Sequence, residues 1–314
     1  MTDMLAQVLT LATLGVILAK TAPILLAAIG GGFTQVGGIL NIGLEGMMLA
    51  GAFTGIAVGG VTNPFVGVLA AVGGAVLLAL VYAVAALVLK ADYTVVGIGI
   101  NLLAAGGTVL LLNVLYGNAG ATPGTVKSIL PKIDLGVVGD IPVLGRLLDH
   151  QTPLVWLALL VVPAYWYLLY RTRFGVHLRA VGEDESAAVA AGIRVGRVRF
   201  TAILASGALC GLAGAQLAMS SVGSFNAGMT ANRGFIAVAA IIFALGRPVP
   251  TLVACLVFGA ADAVADRLTL GGLNSSLALL TPYVITVVAL VVAAVRIRAA
   301  IRSRTRRALQ HAPS

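Results

Sequence analysis

Residues 65–89 read FVGVLAAVGGAVLLALVYAVAALVL, twenty-five consecutive positions without a single charge. A helix rises about 1.5 Å per residue, so this run is long enough to cross the roughly 30 Å of hydrocarbon in a bilayer. One wholly apolar helix can also lie in the core of a soluble protein. Here, however, comparable runs recur at 5–29 (interrupted by Lys20), 40–58, 93–116, 154–170, 200–219 and 277–295. Two shorter runs, 235–245 and 251–261, flank Gly246, Arg247, Pro248, Val249 and Pro250, which reads as a pair of half-helices or a tight helical hairpin. Only helices satisfy their own backbone inside lipid within a single segment. The expected fold is therefore all-α, a polytopic transmembrane helical bundle of about eight to ten membrane segments with broken or half helices.

Composition agrees. Of 314 residues, 60% are hydrophobic and 10% charged, with a mean hydropathy of +1.05, whereas a soluble domain carries about 25% charged residues. A single transmembrane domain over 1–300, followed by a basic tail at 301–314, accounts for the whole pattern. The opening MTDML lacks the positive region of a signal peptide, so the first apolar run reads as a retained span. Cys210 and Cys255 both fall inside apolar runs and read as packing residues, not a disulfide framework or metal cluster.

Charge sets the expected orientation. Arg171, Arg173, Arg179, Arg194, Arg197 and Arg199 share the loop 171–199, and Arg296, Arg298, Arg302, Arg304, Arg306 and Arg307 crowd the end of the chain. The positive-inside rule puts that loop and the C-terminus in the cytoplasm. Loop 118–152 balances Lys127, Lys132 and Arg146 against Asp134, Asp140 and Asp149 and lies one span away, hence outside. Arginines at span ends, facing anionic headgroups, explain the net charge of +9 without nucleic-acid binding.

Within loop 171–199 the segment EDESAAVAA, between Gly182 and Gly192, reads as a short helix. Glu183, Asp184 and Glu185 would complement the positive end of its dipole, alanines 187, 188, 190 and 191 give it a small-residue surface, and Gly192 ends it. Such a helix is either a docking knob for a partner or a solvated loop helix. Further in, Gly37, Gly38, Gly43 and Gly46 weaken a continuous helix, while Asn41 and Glu45 stand one turn apart on one face. A carboxylate at membrane depth should face the bundle interior or water. Its partners would be Lys20 or backbone amides freed at the glycine breaks, and its role either to line a path or to brace the broken segment. Asn101, Asn113 and Gln216 also fall within spans and read as interhelical glue or, together, as the lining of a polar cavity. Asp262, Asp266 and Arg267 read as an outer contact for another protein or as a solvated helix end.

Three patches carry a family resemblance. SAAVAAG, 186–192, resembles the EAA-xxx-G coupling motif of ABC-transporter permeases, with Ser186 in place of the first glutamate. The longer run GEDESAAVAAGIRVGRVRFTAILASGALCGLAGA, 182–215, is similar to permeases of the branched-chain amino acid, ribose and simple-sugar importer group. GGILNIGLEGMMLAGAF, 37–53, and GFIAVAAIIFALGRPVP, 234–250, are similar to the nucleoside and simple-sugar branch, and the resemblance runs over about 25–290.

This resemblance implies a permease subunit of an ABC importer in a bacterial cell membrane, forming the path for a nucleoside or simple sugar. Glu183, Asp184, Ser186, Ala187, Ala188, Ala191 and Gly192 would couple it to a separate ATP-binding cassette subunit. Asn41, Glu45, Asn101, Asn113 and Gln216 are the polar candidates for the path or its supports. A second permease subunit, identical or related, and an extracytoplasmic substrate-binding protein would complete the assembly.

No cofactor is expected in this chain, because the phosphate-loop pattern is absent and TPGTVKS, 122–128, has the wrong spacing; ATP would be bound by the partner. The alternatives are a branched-chain amino acid permease or an ion-coupled secondary transporter, the latter expected to show inverted repeats. An enzyme is not expected, since His150, His177 and His311 are scattered.

Overall fold

The computed structural model describes residues 11–133 and 150–270. The expected span 277–295, the tail and residues 134–149 of the outer loop lie outside the described residues.

Every regular element among the described residues is helical. The long helices are α1 (Leu11–Val36), α2 (Leu44–Gly59), α3 (Pro64–Ala83, continued by a π turn at Val84–Val88) and α4 (Tyr93–Tyr116). After the outer loop follow α5 (Pro153–Arg171), the short pair α6 (Arg173–Glu183) and α7 (Glu185–Ala190), then α8 (Val195–Met219), α9 (Arg233–Ala244) and α10 (Pro248–Leu270). Six of them are long and apolar enough to cross a membrane, and α2 and α9 are shorter apolar helices. Two isolated antiparallel bridges, Ala121 with Asn226 and Ile133 with Gln151, tie down the ends of the outer loop among the described residues.

The helix ends follow from local chemistry. Asn63 caps α3 by accepting from the Val66 amide at 3.0 Å, with Pro64 in the first turn, where its missing N–H costs nothing. Asp92 caps α4 by accepting from Thr94 and Val95 at 2.9 and 3.1 Å, and Gly117 ends that helix at φ +65°.

Helix α8 sits at the centre, packed against α1, α2 and α3. Its glycines permit this: a side chain at Gly214 would collide with the Met48 carbonyl, and a Cβ at Gly211 would lie 2.6 Å from the Ala71 carbonyl. Buried positions make up 72% of the α1 span and 67% of the α8 span, but only 28% of each of the α3 and α4 spans. So α1 and α8 form the interior, while α3 and α4 present leucines 69, 77, 102 and 110 outward.

The bundle has two ends. At one, Leu130 donates to the Met219 carbonyl at the close of α8, and Gln151 donates to Gly15 near the start of α1. At the other lie α6, α7 and the end of α1. We call these the loop face and the basic face.

One expectation is corrected. Of the two readings offered, half-helices or a tight hairpin, the run 251–261 is not a half-helix but the middle of α10, which begins at Pro248, continues to Leu270 and packs back on α9 as a hairpin. Pro248 and Pro250 occupy the first turn, where proline is tolerated. The break lies one step earlier, where Leu245 and Gly246 take φ +52° and +67° and stop α9. Helix α9 is a true half-helix of 12 residues, about 18 Å long and too short to span.

Candidate functional site

The chain turns at Gly37 and Gly38 (φ +80°) and re-enters the bundle through residues 39–43 before α2 begins. Two asparagines hold this break. Asn41, 2% exposed, accepts from the Gly43 amide at 2.9 Å and donates to Ser206 Oγ of α8 at 3.2 Å. Asn101 of α4 accepts from the Gly46 amide at 2.8 Å and donates to the Ile42 carbonyl at 3.0 Å. Each amide thus replaces a peptide group lost where the helix is interrupted.

Glu45, in the first turn of α2, points at the start of the half-helix α9. Its Oε1 accepts from Thr230 Oγ1 at 2.5 Å and from the Asn232 amide at 3.0 Å, and its Oε2 accepts from the Gly234 amide at 2.6 Å. The residues before α9 are contorted: Ala231 and Asn232 both take left-handed backbone, φ +46° and +63°. That conformation turns the alternate amides of Asn232 and Gly234 toward one point, where the positive end of the helix dipole favours an anion. Gly234 is required there, because any side chain would run into the Glu45 backbone. Of the two kinds of partner expected for Glu45, it takes backbone amides.

Lys20 is engaged elsewhere. Its Nζ lies 2.5 Å from Asp266 and 3.9 Å from Asp262, and Asp262 also accepts from Arg233 Nη2 at 2.7 Å. The Arg233 and Asp262 side chains are only 14% and 16% exposed, so Asp262 is not a solvated helix end. These pairs join α1, α9 and α10 in one charged layer beside the Glu45 cap.

The other polar candidates separate. Gln216, 1% exposed, accepts from Thr152 Oγ1 at 2.6 Å toward the loop face, and its Nε2 has no protein partner. Asn113 stands exposed on the outward side of α4. Asn41, Glu45 and Asn101 are brought together, but their hydrogen bonds are made to protein groups and not offered to a shared cavity.

On the basic face the expected short helix forms with shifted bounds. Gly182 and Glu183 belong to the end of α6, so Glu183 is not in the first turn of α7. Asp184 is instead the N-cap residue, in extended backbone, accepting from the Ala187 amide at 3.0 Å and from Ser186 Oγ at 2.7 Å. The Ser186 hydroxyl, and after it the Ala187 amide, hold the Asp184 carboxyl below its ordinary value, so the cap is charged at neutral pH.

Gly192, at φ +78°, closes the helix, and Ile193 donates back to the Ala188 carbonyl at 3.0 Å. Ala188 is buried against the body, while Ser186, Ala187, Val189 and Ala191 face outward. Arg199, read from sequence only as a topology marker, donates to Glu185 at 2.8 Å and to the Gly37 carbonyl at 3.1 Å.

Thr230, Asn232 and Gly234 were not legible as partners of Glu45; the one local signal is a glycine at the head of the apolar run 234–245. Cys210 and Cys255 are buried and free, and no group of metal-binding side chains occurs among the described residues.

Residues 13–294 match the family described as branched-chain amino acid transport system / permease component. The chain is 34% identical over 287 residues to the guanosine ABC transporter permease protein NupQ of Bacillus subtilis, covering 87% of this chain and 89% of the relative. It is also 34% identical over 297 residues to the nucleoside ABC transporter permease protein NupC of Lactococcus lactis, covering 88% and 92%. The putative glucose ABC transporter permease protein TsgC13 of Haloferax volcanii is 34% identical over 249 residues, covering 78% and 74%. The chain therefore belongs to the family of branched-chain amino acid transport system permease components, and it is a multi-pass membrane transport component and not an enzyme.

Proposed function

We propose that the chain is the permease subunit of an ATP-driven importer whose cargo is a nucleoside or a simple sugar. The observation that carries this reading is the pair of nucleoside permeases at 34% identity, each matched along most of its length. Glucose transport by name in a third relative keeps simple sugars within the class. The basic face, with Arg171, Arg173, Arg179, Arg194 and Arg197 at span ends, is the cytoplasmic one. There α7 projects Ser186, Ala187, Val189 and Ala191 toward a separate ATPase subunit, with Asp184 and Gly192 fixing its ends and Ala188 its seat. The loop face receives cargo from an extracytoplasmic binding protein, and a second permease subunit completes the path. The Glu45-capped α9 and the Asn41 and Asn101 braces act as its framework. They touch no cargo.

Val189 is 59% exposed on α7, and an exposed apolar side chain on a docking element is a natural anchor for a partner groove. Ala191→Glu and Val189→Asp should therefore leave the folded permease in the membrane but cut ATPase binding and uptake by about tenfold or more, the scale of losing one such anchor. Pull-down of the ATPase subunit and vesicle uptake would read this. Cargo class follows from competition, in which excess unlabelled nucleoside, and not branched-chain amino acid, should suppress uptake of labelled guanosine. Suppression by leucine or valine alone would move the cargo to the amino-acid branch.

A further inference from the structure

Arg199 lies in the first turns of α8, and its side chain is only 12% exposed although it is charged. A guanidinium in that position must be paired, and it is gripped from two sides. Its Nη1 donates to Glu185 in the first turn of α7 at 2.8 Å, and its Nε donates to the Gly37 carbonyl at 3.1 Å, where α1 has ended and the re-entrant segment begins. The planar fork of arginine can serve two acceptors at fixed angles, which a lysine cannot.

The backbones also touch at this point. A side chain at Gly182 would run into the Val36 carbonyl, and Gly38, in left-handed backbone, faces the Gly182 Cα. Seven residues further along α8, on the same face, Ser206 accepts from Asn41. The segment 37–43 is thus stitched to one face of α8 at two levels, and only the lower stitch is shared with the docking loop. The Glu185–Arg199 pair borders a groove of about 460 Å³, lined also by Leu87, Lys90, Asp92 and Tyr93. This space lies between Glu185 of α7 and the turn between α3 and α4.

We propose that Arg199 is a positioning residue through which displacement of α7 reaches the segment 37–43, and through Asn41 and Glu45 the capped half-helix. It touches neither cargo nor nucleotide. When α7 is pulled, the fork moves the Gly37 carbonyl with Glu185, and the glycine turn at Gly38 lets the segment follow. This rests on the reading that α7 docks the ATPase, so the test separates the two.

The experiment uses the reconstituted transporter with its ATPase subunit and binding protein, comparing Arg199→Lys, Glu185→Ala and Ala191→Glu. Arg199→Lys keeps the charge beside Glu185 but cannot also hold the Gly37 carbonyl. Glu185, with a 56% exposed side chain, can be truncated without threatening the fold. Both variants should bind the ATPase and hydrolyse ATP, while cargo imported per ATP falls about tenfold or more, within the usual range of coupling between sites. A merely structural role would lower the melting temperature and leave that ratio alone.

Wild-type cargo per ATP in Arg199→Lys and Glu185→Ala would overturn the proposal. If Ala191→Glu still loses the ATPase in that case, the docking reading stands. If Ala191→Glu also behaves as wild type, docking at α7 falls with it.

Discussion

Replacing Glu45 with alanine is expected to remove most of the folded protein from the membrane. The substitution strips the acceptor from the Thr230 hydroxyl and from the amides of Asn232 and Gly234 at once. Each polar group left unsatisfied away from water costs about 1–3 kcal/mol. Together they approach the roughly 5–15 kcal/mol that holds a typical domain folded. The left-handed backbone at Ala231 and Asn232 loses the anion that its amides converge on.

Glu45→Gln should be milder, since one oxygen remains to accept while the new amide faces an N–H. The melting temperature in detergent and the yield of folded permease measure both variants. The fraction of Glu45→Gln that folds should take up cargo with near-normal apparent affinity. A fully stable Glu45→Gln protein with a large affinity loss would instead place the carboxylate on the cargo path.

The second large effect concerns the charged layer. Asp262→Ala leaves Arg233 without its 2.7 Å partner and leaves Lys20 with Asp266 alone. Removing one member of a buried ion pair costs about 3–5 kcal/mol, chiefly because the other charge stays buried. The double variant Arg233→Gln with Asp262→Asn should recover most of the loss, because no unpaired charge of this pair then stays buried. Equal melting temperatures for Asp262→Ala and the parent would show that the layer is solvated and carries little energy. Arg233→Gln and Asp262→Asn singly, together with this double variant, form a thermodynamic cycle that isolates the pair.

How far these features could be read in advance depends on the range of the forces involved. Spans such as 65–89 were legible because transfer into hydrocarbon acts residue by residue and needs no knowledge of neighbours. The half-helix α9 was legible from its length. Helix α10 was misjudged for two reasons. Its prolines look like breakers until one sees that they occupy a first turn, and Asp262 looks like the end of a span until Lys20 and Arg233 are seen to pair with it. Charge ends a membrane helix only when it has no partner inside the bundle.

The site shows the same division. That Glu45 had to be neutralised by something follows from electrostatics alone. That its partners are the amides of Asn232 and Gly234, nearly two hundred positions away, depends on a chain reversal that no local pattern encodes. Asn41 was read as sharing a helix face with Glu45, whereas it lies in the break ahead of α2, and its bond to Ser206 needed the fold. Glu183 and Asp184 both left the first turn of the expected helix because its start moved by two residues, from 183 to 185, which is below the resolution of sequence patterns at helix ends. Arg199 was counted with the loop arginines because charge statistics describe where an arginine sits, not what its fork holds.

In the proposed cycle, movement of α7 by an ATPase drives cargo through a bundle that hydrolyses nothing itself. The most direct test of that cycle is uptake of labelled guanosine or ribose into vesicles containing this permease, its ATPase subunit and its binding protein, with ATP supplied on the side of the basic face. Uptake is expected only with hydrolysable ATP, and it should be insensitive to ionophores that collapse proton and sodium gradients. Uptake that persists without ATP and stops with the ionophores would contradict the account and assign the charged layer around Lys20 and Asp262 to an ion-coupled carrier.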